Sequence, residues 1–138
     1  MADPKTPAEW LSLSRQHELT AKAMADDREA AAMTLLNTGL AVEMALKALI
    51  MHRERFNEWP SKASRPELHV HDLRALMKIA GVTVTAADQR AAKWHVVLAW
   101  DRNQGYDPKP MPRKVAKSWV EAAFGEEGVV TWIRKTLA

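Results

Sequence analysis

A glutamate and a lysine four residues apart, Glu43 and Lys47, are the first side chains in this sequence that could do chemistry. In a helix, residues at this spacing are neighbours, and glutamate before lysine is the favourable order for an ion pair. Both lie in an apolar stretch, where a charged pair must be hydrogen-bonded or open to a groove. The spacing therefore predicts either a partly buried ion pair, with the lysine stem along apolar neighbours, or a polar spot lining a groove between helices.

A histidine, His71, directly precedes Asp72 and Leu73 at a predicted helix start. An imidazole there can cap or pack, which is the favoured interpretation, and it can also move a proton near neutral pH. His69 lies two residues earlier, so on a helix the two rings would be roughly 200° apart. They could converge on a metal ion only from extended backbone.

Three polar residues, Arg102, Asn103 and Tyr106, follow the predicted end of the fourth helix. An arginine near a helix C-terminus complements the negative end of the helix dipole, which is a sufficient structural reason for it. Its guanidinium could also hold a phosphate group through two parallel hydrogen bonds. Spacing alone leaves both roles open and favours the first.

Several common kinds of site have no sequence pattern here. The chain contains no cysteine, which excludes disulfides, thiol nucleophiles and thiolate metal ligands. It has no HExxH pair, no acidic calcium loop, no glycine-rich phosphate loop and no GxSxG elbow. We therefore expect no metal ion and no cofactor.

Five helical segments must position the candidate side chains. Thr6 is a capping hydroxyl and Pro7 suits the first position of a helix that is predicted to run to about Met24, with Trp10 and Leu13 as its core anchors. The stretch from Arg28 to Phe56 has no proline and is apolar around most of its circumference, which predicts a buried central helix. Gly39 within it indicates the close approach of a neighbouring helix.

The other three segments have weaker boundaries. They are predicted from His69 or His71 to Ala80, from a Thr85 cap to about Trp100, and from Pro112 to the C-terminus, with a break or a loosening at Gly125 and Gly128. Prolines make residues 57–66 and 103–112 irregular. With no convincing strand, the pattern predicts one all-α domain over residues 1–138, an up-and-down bundle of four to five helices.

Composition sets limits on function. Twenty Lys and Arg against 17 Asp and Glu give a formal charge of +3, which permits weak attraction to nucleic acid but also fits an ordinary solvated surface. No uninterrupted run of apolar residues approaches the ~20 residues of a membrane span. The first ten residues have no signal-peptide features. We expect a cytoplasmic protein with no membrane partner.

Three motifs, in order, resemble those of HEPN domains (higher eukaryotes and prokaryotes nucleotide-binding). Residues 40–50, LAVEMALKALI, resemble the Glu–x–x–Leu–Lys–Ala–Leu core of that family. Residues 71–76, HDLRAL, resemble its His–x–Leu–x–x–Leu segment, and Arg102, Asn103 and Tyr106 resemble the polar cluster after the next long helix. The resemblance covers roughly residues 7–135 and implies a helical bundle that often forms a two-fold dimer.

The resemblance also implies a catalytic pattern that this chain departs from. Many HEPN domains are RNases of toxin–antitoxin or antiphage systems, with an arginine followed after four to six residues by a histidine. Arg102 and Asn103 match the opening of that pattern, but the expected histidine positions hold Asp107, Pro108 and Lys109. The general acid or base is therefore missing from its place.

Three functional hypotheses follow. The favoured one is a non-catalytic HEPN-like module that forms a homodimer and binds nucleotide or RNA phosphate, or pairs with a nucleotidyltransferase-type partner. Its ligand site would comprise Glu43, Lys47, His71, Arg102, Asn103 and Tyr106.

The second hypothesis is a metal-independent RNase in which Arg102 stabilises charge and His71 or His95 supplies the proton. The third is a structural, antitoxin-like subunit that binds a protein partner. Its interface anchors would be Trp59, Trp119 or Trp132, for which core packing is the alternative role.

Overall fold

The computed structural model describes residues 3–103 and 107–138. This part of the chain folds into helices and irregular segments without a β-strand. The helices are α1 (Pro7–Met24), α2 (Ala31–Glu54), α3 (Leu73–Ile79), α4 (Ala91–Leu98), α5 (Arg113–Phe124) and α6 (Val129–Leu137). The predicted all-α bundle is confirmed, and the fifth predicted segment is divided between Gly125 and Gly128 into α5 and α6.

The first helix begins as its sequence predicts. Thr6 Oγ1 accepts a hydrogen bond of 3.1 Å from the backbone N–H of Glu9, and Pro7 is the first helical residue. The helix ends at Met24. A capping hydroxyl and a proline at the first position are local signals, so they act before any tertiary contact forms.

The buried face of α1 differs from the predicted one. Leu13 was expected to be a core anchor, but it is only half-buried, and Ser14 and Glu18 are buried instead. Ser14 Oγ donates a hydrogen bond of 2.6 Å to the carbonyl oxygen of Ala41. This bond turns the polar stripe of α1 toward α2.

The second helix is the centre of the bundle and packs against α1, α3, α5 and α6. The run Arg28–Glu54, which includes a short 3₁₀ turn before α2, is long and apolar enough to cross a membrane by length and composition alone. However, 72% of its most apolar window is buried inside the fold, as in the core helix of a soluble protein. The apolar residues on every side of this helix therefore pack against neighbouring helices.

The predicted close approach at Gly39 is confirmed. A Cβ atom built on Gly39 would lie 1.9 Å from Cε2 of Trp100, which is itself buried just after α4 ends. No side chain other than hydrogen fits there, so the glycine is required by packing despite its cost of about 1 kcal/mol in a helix. This contact joins the end of α4 to the middle of α2.

The start of α4 was predicted wrongly. Thr85 was expected to cap it, but the helix begins at Ala91 and ends at Leu98 rather than Trp100. Asp88 Oδ1 accepts a 2.8 Å hydrogen bond from the backbone N–H of Arg90, and the Arg90 guanidinium binds the same carboxylate. Hydrogen bonding by Arg90 holds the pKa of Asp88 below its ordinary value. This local turn competes with a helical cap at Thr85.

The tryptophans proposed as interface anchors pack within the chain. Trp59 is 6% exposed, and its ring meets Trp10 and Phe56 edge-on. Trp119 and Trp132 are half-buried and lie against the core. The core-packing role is therefore confirmed for these residues, and Trp59 is not available as a surface anchor.

Candidate functional site

The ion pair that the spacing predicts is present and buried. Lys47 Nζ lies 3.2 Å from Glu43 Oε2, and the side chains are only 8% and 3% exposed. Both residues lie on α2 within its buried surface. A buried pair of this kind is stable only if other groups satisfy its remaining charge and hydrogen-bonding capacity.

Two indole rings enclose the ammonium group of Lys47. Its Nζ lies over the ring of Trp10 at 5.4 Å from the centroid, and over the ring of Trp59 at 6.0 Å. The two rings are 5.1 Å apart. Because aromatic faces attract cations, the ammonium group of Lys47 is stabilised by two rings as well as by the Glu43 carboxylate.

His71 contacts the second oxygen of the Glu43 carboxylate. The capping interpretation of His71 was wrong, because Asp72 caps α3 by accepting from the N–H groups of Arg74 and Ala75. His71 lies just before this cap, and its Nδ1 is 2.7 Å from Glu43 Oε1. The ion-paired carboxylate can only accept, so Nδ1 carries the hydrogen of this bond.

Arg102 lies over the face of the His71 ring. Its Nη1 is 3.1 Å from Nε2 and 3.4 Å from Nδ1. An atom in the ring plane could not approach both nitrogens so closely, because it would collide with Cε1 between them. Nη1 therefore lies out of the ring plane and does not occupy the in-plane direction of Nε2.

His71 and Arg102 border a cleft of about 470 Å³ between the start of α3 and the segment that follows α4. Its charged walls are Asp72, Arg74, Asp101 and Arg102. Each carboxylate accepts backbone N–H bonds, Asp72 at the start of α3 and Asp101 from Asn103 at 2.9 Å. Both arginines are exposed. Two guanidinium forks are donors suited to phosphate or carboxylate oxygens.

The structure joins four of the six predicted ligand residues into one chain of contacts. Lys47 contacts Glu43, Glu43 contacts His71, and His71 contacts Arg102. Asn103 is exposed beside this chain, and Tyr106 lies outside the described residues. Whether these side chains bind a ligand stays a prediction.

The second proton donor considered for the RNase hypothesis, His95, lies elsewhere. It lines a separate groove on α4 and does not border the cleft of Arg102. In the described part of the chain, His71 is therefore the imidazole that lies beside Arg102.

The positions of Arg74 at the cleft and of Trp59 beside Lys47 were not predicted from the sequence. Arg74 follows His71 by three residues, a spacing that brings side chains near a helix start to one side, so it could have been found. Trp59 could not, because nothing in a proline-flanked loop indicates that its ring will cover a lysine of the preceding helix. That placement follows from the path of residues 55–65, which have no regular structure.

No group of three or more His, Asp or Glu side chains that could hold a metal ion is found within residues 3–103 and 107–138. The donors at the cleft are one imidazole and carboxylates that are already hydrogen-bonded, accompanied by two arginines. This set favours an anion over a divalent cation.

No protein-family model, no curated protein and no solved structure matches this chain. The class of protein is therefore defined by fold and site alone. It is an all-α bundle with a buried Glu–Lys pair whose carboxylate contacts a histidine, and this histidine and an arginine border a polar cleft.

Proposed function

We propose that this protein is a non-catalytic HEPN-like module that binds the phosphate of a nucleotide or RNA in the cleft. The observation that carries the proposal is the contact of the Arg102 guanidinium with the His71 ring at the cleft, 3.1 Å from Nη1 to Nε2. We further propose that the module works in the cytoplasm as a homodimer, or beside a nucleotidyltransferase-type or antitoxin partner.

Preorganisation is the physical support for this proposal. The Glu43–Lys47 pair is buried, and its carboxylate holds Nδ1 of the imidazole of His71, whose side chain is 49% exposed. Contact with that ring restrains the exposed side chain of Arg102. A restrained side chain loses less entropy on binding than a free one, so more of its interaction energy with phosphate appears as affinity.

The resemblance to HEPN domains supports the same proposal. Its motifs contribute Glu43, Lys47, His71 and Arg102, which are far apart in the sequence. These four side chains are the ones that contact one another. A chance resemblance of three separate motifs would not be expected to bring these side chains into one chain of contacts.

The test is a titration with a short single-stranded RNA and with inorganic pyrophosphate, followed by NMR. Arg102→Ala should weaken binding of both about 10-fold, the loss expected for one charge-assisted contact. It should also reduce the slope of log affinity against log salt by about 1. The matched control is Arg28→Ala, an exposed arginine in the 3₁₀ turn before α2, which should change neither.

Equal losses in Arg102→Ala and Arg28→Ala would show only a general charge effect and would contradict a site at the cleft. Absence of binding to wild-type protein would remove the ligand part of the proposal. Sedimentation of the wild-type protein tests the dimer separately, and a strict monomer would contradict it.

A second function, RNA cleavage, is favoured by one specific observation. Glu43 orients His71 through Nδ1, as a carboxylate orients a general base, and leaves Nε2 able to take a proton. Nε2 would take the proton of a ribose 2′-hydroxyl, whose oxygen attacks the adjacent phosphorus. The 5′-oxygen would leave with a proton from water or from the same imidazole, and Arg102 would stabilise the charge on phosphate.

Cleavage is tested with RNA in excess chelator. If His71 is the base, wild-type protein should give products that end in a 2′,3′-cyclic phosphate, and His71→Ala should lose about 100-fold or more in rate. The control His52→Ala removes an exposed imidazole on α2 and should keep full activity. Intact RNA with the wild-type protein would contradict the RNase function and leave the binding proposal untouched.

A further inference from the structure

A second space of about 470 Å³ lies beside the cleft, and we refer to it as the α3–α4 groove. Its walls include Met77 of α3, Val84 of the following linker, and Trp94, His95 and Leu98 of α4. It has no acidic residue, lysine or arginine among its walls. The groove therefore offers an apolar surface with one exposed imidazole at its edge.

The groove and the cleft meet at Leu98, which borders both. Along α3, Met77 follows Arg74 by three residues, and along α4, His95 precedes Leu98 by three. Three residues of helix span about 4.5 Å. The apolar space thus begins about one helical turn along α3 from Arg74. Arg74 and Leu98 border the cleft while Met77, His95 and Leu98 border the groove, so the two spaces are neighbours that share Leu98.

We propose that the α3–α4 groove binds the base of a nucleotide whose phosphate lies in the cleft at Arg102 and His71. This inference rests on the proposed binding of phosphate. The exposed His95 ring can stack on a planar base, as imidazoles do in single-stranded RNA recognition. The thioether of Met77 and the side chain of Leu98 are soft apolar surfaces for the same ring.

Chemistry and spacing argue for a nucleotide across these two spaces. A ligand that pairs with the guanidinium groups of the cleft and also fills the groove is anionic at one end and apolar at the other, with a short spacer between them. A 5′-nucleotide has this order of groups, phosphate, ribose and base. The volume of the groove lies within the range of about 300–1,000 Å³ that small-molecule sites occupy.

The experiment compares three probes by NMR titration: inorganic phosphate, ribose 5-phosphate and AMP. Because one stacked base contributes a factor of about 10 or more, AMP should bind about 10-fold more tightly than ribose 5-phosphate. His95→Ala should reduce AMP to the affinity of ribose 5-phosphate and leave ribose 5-phosphate unchanged. His52→Ala, which removes an exposed imidazole that borders neither space, is the matched control.

Equal affinities of AMP and ribose 5-phosphate for wild-type protein would overturn the inference about the base and leave phosphate binding in place. A preference for AMP that survives His95→Ala would also overturn it. Loss of all three probes in wild-type protein would overturn the proposed function and this inference together. A change of oligomeric state in His95→Ala, with no effect on AMP, would show that a second copy of the chain covers the groove.

Discussion

Replacing Glu43 by glutamine should lower the free energy of unfolding by about 3–5 kcal/mol. The change removes one member of a buried ion pair and leaves the ammonium of Lys47 without a carboxylate. The lysine side chain is 8% exposed, so water cannot replace the lost partner without local opening. The rings of Trp10 and Trp59 attract the cation, but they replace only part of the stabilisation that the carboxylate gives to the Lys47 charge.

The double substitution Glu43→Leu with Lys47→Met should be less destabilising than either single change at this pair. Two apolar side chains of similar volume restore packing and leave no buried charge, which is often close to neutral for stability. His71 still loses the acceptor of its Nδ1–H. The double variant should therefore fold but should bind RNA and pyrophosphate as weakly as Arg102→Ala.

Urea unfolding of the wild type, of Glu43→Gln, of the two single variants Glu43→Leu and Lys47→Met, and of the double variant measures the stability part. The NMR titration measures binding. If the double variant loses the sum of the two single losses, the residues do not act as a pair. If it binds with wild-type affinity, Glu43 does not position His71 for the ligand.

The second large effect is expected at Glu18, which joins the first and last helices. Its side chain is 3% exposed and accepts hydrogen bonds from Arg134 at 2.5 Å and Arg15 at 2.8 Å, and Lys22 lies at 2.6 Å. Glu18→Gln keeps the shape but removes the charge that these cations surround. We expect a loss of about 3 kcal/mol at pH 7.

The loss at Glu18 should depend on pH in a definite direction. Burial acts to raise the pKa of Glu18, but hydrogen bonds and charges from Lys22 and Arg134 outweigh it, so the pKa lies below its ordinary value of 4.5. A carboxyl whose pKa is lowered by folding stabilises the protein above its unfolded pKa. That contribution is lost as pH falls from about 4.5 through the lower folded pKa.

Unfolding curves from pH 7 to pH 3 measure this dependence. The difference between wild type and Glu18→Gln should shrink steadily below pH 4.5, because the protonated acid and the amide have similar shape and no charge. Glu58→Gln, at an exposed position in the loop after α2, should follow the wild type at every pH. A difference for Glu18→Gln that stays constant down to pH 3 would contradict the role of its charge.

Most of the helices could be predicted because their signals are local. The cap at Thr6 and the apolar circumference of α2 depend on residues within one or two helical turns. The spacing of Glu43 and Lys47 likewise determines their pairing. The errors at Leu13, Thr85 and His71 arose where a tertiary or side-chain hydrogen bond outweighed a local preference, as Ser14 to Ala41, Asp88 to Arg90 and Glu43 to His71 show.

The sequence by itself determined an all-α chain with a central apolar helix, a charged pair upon it and three polar motifs in order. Only the tertiary structure decided that Lys47 is enclosed by Trp10 and Trp59, that Arg102 contacts His71, and that an apolar groove lies beside the cleft. The physical reason is distance along the chain. Helical periodicity relates residues three or four apart, whereas His71 and Glu43, or Arg102 and His71, are brought together only when separate helices pack.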